Sequence, residues 1–438
     1  MSDELGGHKS NQYRENRPWQ DLDQMLSVDE AKARILSSID VCPSEPVALI
    51  DCHGLVLFED VAAIEDVPPF RNSAMDGYAL NAEDVRSATY ESPVVLAIVE
   101  NLPAGRSPER TPGPGEATRI MTGAVMPEGT DSVVRFEETS EARDAADLPS
   151  ERSATVEICR APRVGDNVRE AGEDIRAGEI VLHAGTILDG TSLGILASVN
   201  RPHVLAIRRP KVGILATGDE VVDPGEPISP GQIRNSNNFM LAGLVREAGG
   251  DPLVLGVARD TESALRERLE EAQGFDLLLT SGGVSIGDYD VVKDVLKSEG
   301  NIDLWQVRIK PGKPMAFGHI RDIPLIGLPG NPVAAYVAFL QFGAPAIRKM
   351  RGLKDASVNC ERARLLREHE NRGHRRHFVR GIVSEVAGEL IVEPVPVQGS
   401  GVLSSVARAN CLFVIPEELD HAPAGLEVDV IRRAKTDW

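Results

Sequence analysis

The sequence predicts a multidomain α/β plus β protein: a central doubly wound parallel α/β domain, a small β-domain inserted in an N-terminal region, and a C-terminal β-barrel. Its 438 residues are more than one hydrophobic core usually accommodates. In the middle third, nearly all-apolar runs alternate with helical patterns, which is typical of a parallel sheet covered on both faces. On either side, short apolar runs are separated by glycine- and proline-rich turns, which is typical of small β-domains.

Composition and charge argue against several classes of protein. Hydrophobic residues make up 42% and charged residues 26% of the chain, as in soluble globular proteins. The formal charge of −20 disfavours binding to nucleic acid or to an anionic membrane. No run reaches the roughly 18 apolar residues that span a bilayer. The five cysteines are scattered without a C-x-x-C pair, so we expect no disulfide framework, no structural zinc site and a cytoplasmic location.

The N-terminal part predicts a tail, a capped helix and a β-domain. Residues 1–17 have the composition of a flexible tail. Ser27 and Glu30 have capping-box spacing, so we expect a helix from Val28 to about Ile39. Residues 46–160 contain short apolar runs that predict strands, whereas Ser140–Ser153 is polar and predicts a surface excursion. The runs are VVLAIVE, ATRIMTG, SVVRFEE and TVEICRA.

The middle third predicts the strands and helices of the α/β domain. The expected strands are KVGILAT, PLVLGVA, FDLLLT, LWQVRI and IPLIGL. The expected helices are Asn237–Glu247, Glu262–Ala272, Val291–Ser298 and Val333–Met350. Asn331 and Pro332 have the residue types of a helix N-cap and first turn. Beyond Lys354 the runs HFVRGIVSE, ELIVEPVPV, CLFVIPE and LEVDVIRR predict a β-barrel or sandwich.

Polar residues follow each expected strand of the α/β domain. Because ligands bind beyond the carboxyl ends of the strands in an open α/β sheet, we expect these residues to share one site. The loop after the third strand, TSGGVSIGDYD, is rich in glycine but lacks the Lys-Ser/Thr ending of a P-loop. In strand order the candidates are Thr217, Gly218, Asp219 and Glu220; Asp260; Ser281, Gly282, Gly283, Ser285, Asp288 and Asp290; Lys310 and Lys313; and Pro329, Gly330 and Asn331.

These residue types suit an anionic ligand held together with a metal ion. Backbone N–H groups at glycine turns bind anions, and lysines supply point charges. Carboxylates repel an anion, so several in one site are most useful as oxygen ligands to a hard cation such as Mg²⁺. Each feature alone also fits an ordinary turn, a helix cap or a solvated loop. Their joint position favours a polar ligand site.

Eight motifs occur in an order that resembles a known family. They are PPFRNSAMDGYAL, RIMTGAVMPEGTDSVV, NVREAGEDI, ILATGDEVV, GQIRNSN, TSGGVSIGDYDVVK, IKPGKPMAFG and GLPGNPVA. Together they resemble the molybdopterin molybdenumtransferases, a family that includes the E domain of gephyrin. The resemblance runs from about Val28 to the C-terminus.

The resemblance implies the last step of molybdenum cofactor biosynthesis. Molybdate, the co-substrate, would be inserted into adenylylated molybdopterin, and cleavage of the phosphoanhydride would release AMP in the presence of Mg²⁺. It further implies a homodimer, with the molybdopterin adenylyltransferase and apo-molybdoenzymes as further partners. It implies four domains: residues 18–45 with 161–202 as an elongated N-terminal domain, 46–160 inserted into it, 203–354 as the α/β domain and 355–438 as the barrel.

The resemblance also assigns roles to residues. It implies catalytic roles for Asp76 of MDGYA, Thr122 of MTGA, Glu220, Asp260 and Asp290, the last three also as metal ligands. By family analogy, the MDGYA and MTGA segments come from the partner subunit. The implied substrate-binding residues are Thr217, Gly218, Ser281, Gly282, Gly283, Ser285, Arg308, Lys310, Lys313, Pro329, Gly330, Asn331, Arg380 and Ser400.

Arg308 is included because of a departure from the family pattern. Gln306 stands where the family often has a basic residue, and Arg308, two residues on, would share its strand face. The basic segment GHRRHF, Gly373–Phe378, fits either a solvated turn or a part of the cleft. Two alternative functions remain open: a non-catalytic molybdopterin carrier or scaffold, and a paralogue that handles tungstate.

Overall fold

A six-stranded sheet lies at the centre of the first of two units into which the chain divides. The computed structural model describes residues 25–142, 154–271, 274–283, 300–354 and 360–433. The first unit comprises Met1–Glu45, Gly54–Val56 and Ala206–Trp438, and the second Pro46–His53 and Leu57–Leu205. No helix in the described ranges is both long and apolar enough to cross a membrane.

The six-stranded sheet confirms the α/β fold class and extends it with an antiparallel hairpin. In spatial order its strands are Asp251–Ala258, Lys211–Thr217, Leu277–Ser281, Ile323–Leu328, Pro314–Ile320 and Gly300–Gln306. The first four run parallel, and the last two are antiparallel to their neighbours. The largely buried strands Lys211–Thr217, Leu277–Ser281 and Ile323–Leu328 account for their near-continuous apolar runs, whereas the edge strand Asp251–Ala258 is partly exposed.

The run LWQVRI does not form a fifth parallel strand. Its first part ends the antiparallel strand Gly300–Gln306, and Ile309–Lys310 instead pairs with the C-terminal barrel. Parallel neighbours need a crossover of about a dozen residues, and only Val307–Lys313 separates Gln306 from the next strand. The strands Pro314–Ile320 and Ile323–Leu328 are joined by a two-residue turn, Arg321 and Asp322. Both residues have positive φ, as a type I′ hairpin turn requires.

The predicted helices of the first unit that fall within the described ranges begin within one residue of their expected starts, whereas Ser404–Arg408 was not predicted. Ser27 caps Val28–Ser37 in a capping box with Glu30, and the buried Val28, Ala31 and Ile35 join the main core of the unit. The other helices are Asn237–Glu247, Glu262–Glu270, Pro332–Ala338, Ala344–Met350 and Ser404–Arg408, with a π-helical turn over Phe339–Gly343. The predicted helix Val291–Ser298 lies outside the described residues.

Five strands of the C-terminal region close into a barrel. They are Glu361–Leu365, Arg376–Val386, Glu389–Pro394, Cys411–Ile415 and Glu427–Arg432. The pairing of Arg376–Val386 with Cys411–Ile415 closes the ring, so a barrel rather than a sandwich is present. The short pair His369–Glu370 and His421–Ala422 lies outside this ring, as do Val221–Val222 and Ile233–Arg234, which pair with each other beside the central sheet.

The second unit contains the predicted small β-domain. Its five-stranded sheet has the order Ser132–Arg135, Gly77–Leu80, Glu116–Ile120, Val94–Leu102 and Thr155–Ile158. Smaller elements are the pairs Asn72–Ser73 with Val168–Arg169 and Val61–Ala62 with Ile180–Leu182, the helix Gly190–Ser198, and 3-10 turns at Leu49–Asp51, Ala82–Val85, Phe136–Glu138 and Ser140–Ala142. The chain passes between the units at Glu45–Pro46, His53–Gly54, Val56–Leu57 and Leu205–Ala206. The polar segment Ser140–Ser153 is described only to residue 142.

Two glycine substitutions test the packing of the first unit. A Cβ at Gly318 would collide with the carbonyl oxygen of Asn301 on the neighbouring strand, whereas one at Gly243 meets nothing within 4 Å. We expect Gly318→Ala to lower the melting temperature. Gly243→Ala, inside helix Asn237–Glu247, should raise it, because alanine favours the helix by about 1 kcal/mol. Calorimetry of both variants measures the effect, and an unchanged Gly318→Ala protein would contradict the hairpin register.

Candidate functional site

A cavity of about 600 Å³ opens at the carboxyl ends of the central strands, all of it within the first unit. Its walls include predicted residues from three strand ends and from the barrel region. Those predicted residues are Thr217, Glu220, Ser281, Gly282, Gly283, Lys313, Pro329, Gly330, Asn331 and Ser400. The cavity therefore brings together residues that are up to 183 positions apart in the chain, from Thr217, predicted from its position after a strand, to Ser400, implied by the resemblance.

Two tight loops form the floor of the cavity. Gly282 has a φ of +93°, and a Cβ there would lie 2.8 Å from the carbonyl oxygen of Thr217, so only glycine fits. The loop Pro329–Asn331 leads into helix Pro332–Ala338, and the backbone N–H of Val333 donates to the carbonyl oxygen of Ser400 at 3.0 Å. That bond fixes the barrel-side loop Gly399–Gly401 against the helix start.

Asn237 supports this floor; Asn235 and Asn238 are its near neighbours in the chain, and none of the three was predicted as a site residue. Asn237 Nδ2 donates to Ser281 Oγ at 2.6 Å and to the carbonyl oxygen of Gly330 at 2.8 Å. Asn235 Nδ2 donates to Asp223 Oδ1, and Asn238 Nδ2 donates to the carbonyl oxygen of Gly256, both at 2.8 Å. The motif GQIRNSN carried the signal, but only as a mark of resemblance.

Acidic residues gather beside the cavity. The backbone N–H of Asp260 donates to Asp219 Oδ1 at 3.2 Å, and Glu220 lines the wall. Burial, followed by repulsion from the carboxylates of Asp219 and Glu220, raises the pKa of Asp260. Gly218 has a φ of +137°, a backbone conformation that residues with a side chain rarely adopt, so glycine is favoured here.

These acids fit part of a magnesium site. The described residues contain no group of three or more His, Cys, Asp or Glu placed to hold a metal ion. However, Mg²⁺ is commonly bound by one or two carboxylates together with substrate phosphates. Glu220 and Asp260 supply two hard oxygen ligands whose mutual repulsion a cation would relieve. The predicted third ligand, Asp290, lies outside the described residues, as do Ser285 and Asp288.

Cations line or lie close behind the opposite wall. Lys313 and Arg375 line the cavity, and Arg375 Nη1 donates to the carbonyl oxygen of Gly312 at 3.0 Å. Burial and the charge of Arg375 lower the pKa of Lys310, which lies outside the lining. Burial lowers the pKa of the fully buried Arg380 to about 10. Its Nε donates to Ser405 Oγ at 3.2 Å and its Nη2 to the carbonyl oxygen of Gly399 at 3.2 Å.

The basic segment GHRRHF divides among several roles. Arg375 lines the cavity, whereas Arg376 forms ion pairs at 2.9 Å with Asp29 and Glu417. His377 is buried, with Nδ1 3.3 Å from Nε2 of His369. Burial and the charge of Lys310 are the main causes that lower the pKa of His377 to about 2. The segment is therefore neither a purely solvated turn nor wholly part of the cleft.

Arg308 is not among the residues that line the cavity. The strand Gly300–Gln306 ends before it, so the alternation of strand faces no longer applies. The backbone N–H of Arg308 donates to the carbonyl oxygen of Leu26 at 2.8 Å, and its charge helps to lower the pKa of Glu30.

The second unit brings Asp76 and Thr122 together. Asp76 Oδ1 accepts hydrogen bonds from the backbone N–H and the hydroxyl of Thr122, both at 2.7 Å. These two bonds lower the pKa of Asp76, which keeps its carboxylate ionised. The motifs MDGYA and MTGA thus form one local structure.

Family comparisons cover most of the chain. Residues 26–200 match the MoeA N-terminal region (domain I and II), residues 213–349 a probable molybdopterin binding domain, and residues 362–432 the MoeA C-terminal region (domain IV). The molybdopterin molybdenumtransferase 2 of Mycobacterium tuberculosis is 37% identical over 413 residues, which cover 93% of this chain and 99% of that protein. The molybdopterin molybdenumtransferase of Haemophilus influenzae is 34% identical over 420 residues, covering 93% and 98%.

A solved structure has the same fold. The crystal structure of a molybdopterin biosynthesis MoeA protein from Pyrococcus horikoshii superposes with a TM-score of 0.77 at 30% identity. The match covers 93% of this chain and 99% of that one.

The acid cluster predicts a pH-dependent stability difference. The pKa of Asp260 is raised on folding, so the protein loses stability as the pH rises through the range where this carboxyl ionises. Asp260→Asn should therefore raise the melting temperature at pH 7 in a chelator, and the gain should shrink towards pH 4. Asp276→Asn is the matched control, since burial raises the pKa of Asp276 but the hydrogen bonds and charges of Arg208 and Lys211 together outweigh it and lower that pKa. The control should melt lower at pH 7. A loss of stability in Asp260→Asn would contradict the proposed repulsion between Asp260 and the carboxylates of Asp219 and Glu220.

Proposed function

This chain belongs to the molybdopterin molybdenumtransferase family of molybdenum cofactor biosynthesis, and we propose that it inserts molybdate into adenylylated molybdopterin. Magnesium-dependent cleavage of the phosphoanhydride would release AMP, as the last step of cofactor synthesis. The observation that carries the proposal is the cavity, where glycine loops, carboxylates and cations meet at one sheet edge. A phosphate-bearing substrate and an oxyanion both need that combination.

The residues of the cavity divide the work between binding and activation. The loops at Ser281–Gly283 and Pro329–Asn331 hold the phosphate-bearing part of the substrate. Lys313 and Arg375 stabilise negative charge on the anhydride, and the half-buried Lys310 and the fully buried Arg380 add to the positive field. Positioning and electrostatics contribute most of the rate in phosphoryl chemistry, so no covalent intermediate on the protein is required.

The carboxylates Glu220, Asp260 and Asp290 would hold magnesium and orient the attacking oxygen of molybdate or water. Bound there, the ion would neutralise charge on the phosphate oxygens. The attacking oxygen bonds to phosphorus, the anhydride P–O bond breaks, and AMP leaves with the electron pair of that bond. Two Mo–S bonds to the dithiolene of molybdopterin form as one Mo–O bond of molybdate breaks, and the released oxygen leaves as water with the two thiol protons, with no change in the oxidation state of molybdenum.

The repulsion among the carboxylates at the sheet edge argues against a purely structural role for the protein. A carrier or scaffold has no use for Asp219, Glu220 and Asp260 held close enough to raise a pKa. Tungstate has nearly the size and charge of molybdate. A competition assay between the two oxyanions therefore determines which one the protein uses. We further propose a cytoplasmic homodimer that receives substrate from the molybdopterin adenylyltransferase and delivers cofactor to apo-molybdoenzymes.

Reconstitution from purified components tests the reaction. With adenylylated molybdopterin, molybdate and Mg²⁺, AMP and active cofactor should form together. Glu220→Gln and Asp290→Asn should retain binding of molybdopterin and lose at least about 100-fold in AMP release, the scale of removing a catalytic electrostatic group. Glu262→Gln is the control, because Glu262 is exposed and pairs only with Arg266 among the ion pairs of the described residues. Full activity in the first two variants would refute their proposed roles.

Mixing of inactive subunits tests the proposed homodimer and its shared site. If Asp76 serves the cleft of the partner subunit, co-expressed Asp76→Ala and Asp260→Ala chains should regain up to about a quarter of wild-type activity in the mixture, since mixed dimers contain one intact site. Each variant alone should remain inactive. Mixed dimers without activity would show that each site takes Asp76 from its own chain.

A further inference from the structure

Asn237 occupies an unusual position in the cavity wall. It is the first residue of helix Asn237–Glu247, its side chain is 9% exposed, and it lines the cavity. Its Nδ2 joins Ser281 to Gly330, so one amide group connects the two loops that form the cavity floor. Its Oδ1 is buried and has no hydrogen-bond partner among the described residues.

The contacts of Asn237 fix which atom faces which partner. The carbonyl oxygen of Gly330 can only accept a hydrogen bond, so the nitrogen of the carboxamide, not its oxygen, must face it. The second hydrogen on that nitrogen is then available to Ser281 Oγ, 2.6 Å away. Ser281 Oγ therefore acts as an acceptor towards Asn237.

That arrangement determines which hydrogen-bonding role remains for the hydroxyl of Ser281. A hydroxyl that accepts one hydrogen bond still has its own O–H to donate. Among the described residues, Ser281 Oγ has no hydrogen-bond partner other than Asn237. Ser281 is 3% exposed and lines the cavity, so an acceptor on a ligand is the natural partner of its hydrogen.

We propose that Asn237 is a positioning residue that fixes Ser281 as a hydrogen-bond donor to a phosphate-type oxygen of the substrate. The free Oδ1 of Asn237 accepts from a donor group of the same ligand. This inference rests on the proposed function for the identity of that ligand, a nucleotide-bearing anion. It adds to that function the residue that orients the donor in the glycine loop.

Calorimetric binding of AMP and of adenosine, in the presence of Mg²⁺, tests the proposal. Asn237→Ala should weaken AMP binding about tenfold to a hundredfold, the range for losing one hydrogen bond to a charged group. Adenosine binding should change much less, because adenosine lacks the phosphate. In a double-mutant cycle, Asn237→Ala should cost little further once Ser281→Ala is present.

Asn238→Ala is the matched control. Asn238 is fully buried at the same helix start and donates to the carbonyl oxygen of Gly256, away from both loops. It should lower the melting temperature and leave the AMP affinity of the folded protein unchanged. If Asn237→Ala fails to fold, Asn237→Leu keeps a similar side-chain volume, adds no charge and loses both donors, and it should show the same selective loss of AMP binding.

Three results would overturn the inference. They are equal losses of AMP and adenosine binding, fully additive effects of the Asn237 and Ser281 substitutions, and unchanged AMP affinity in the Asn237 variants. In each of these cases the wild-type protein still binds AMP, so the proposed function stands. A wild-type protein that binds no AMP would contradict the proposed function and remove the ligand on which this inference depends.

Discussion

Electrostatic repulsion at one edge of the central sheet is the constraint on which the site depends. The parallel strands Lys211–Thr217 and Asp251–Ala258 hold their carboxyl ends side by side, so the acids that follow them lie close together. Burial and neighbouring carboxylates therefore make the charged form of Asp260 costly in the folded protein. A fold tolerates such an electrostatic cost where ligand binding relieves it. A cation bound by these carboxylates and by an anionic ligand relieves it.

The rest of the first unit supplies the hydrogen-bond donors and cations that an anionic ligand needs in an acidic protein. With a formal charge of −20, the chain can hold a phosphate or an oxyanion only through local donors and cations. The α/β domain contributes glycine loops and asparagines, and the barrel region contributes Arg375, Arg380 and the Ser400 loop. The bond from Val333 N–H to the carbonyl oxygen of Ser400 joins the two regions at the cavity itself. The proposed substrate binding and catalysis therefore depend on the packing between the α/β domain and the barrel region.

Sequence patterns were most informative where one local rule decides the structure. The capping box at Ser27 and the all-apolar strands are such cases, and the sheet-edge rule then placed Thr217, Glu220, Ser281 and Lys313 in one cavity. The antiparallel hairpin was missed because its pairing depends on the length of a connection. Arg308 was placed by strand alternation, which ends at Gln306. Asn237 was missed because its role depends on two partners that are distant in sequence, Ser281 and Gly330.

The central claim is that acids and loops at the sheet edge hold a divalent ion and a phosphate in the same cavity. Crystals grown with Mn²⁺ and AMP test this most directly, because manganese gives an anomalous signal that magnesium does not. We expect an anomalous peak at the carboxylates of Glu220 and Asp260, next to the AMP phosphate above Ser281–Gly283. A phosphate bound in this cavity with manganese on a separate surface, or with no manganese at these carboxylates, would contradict it.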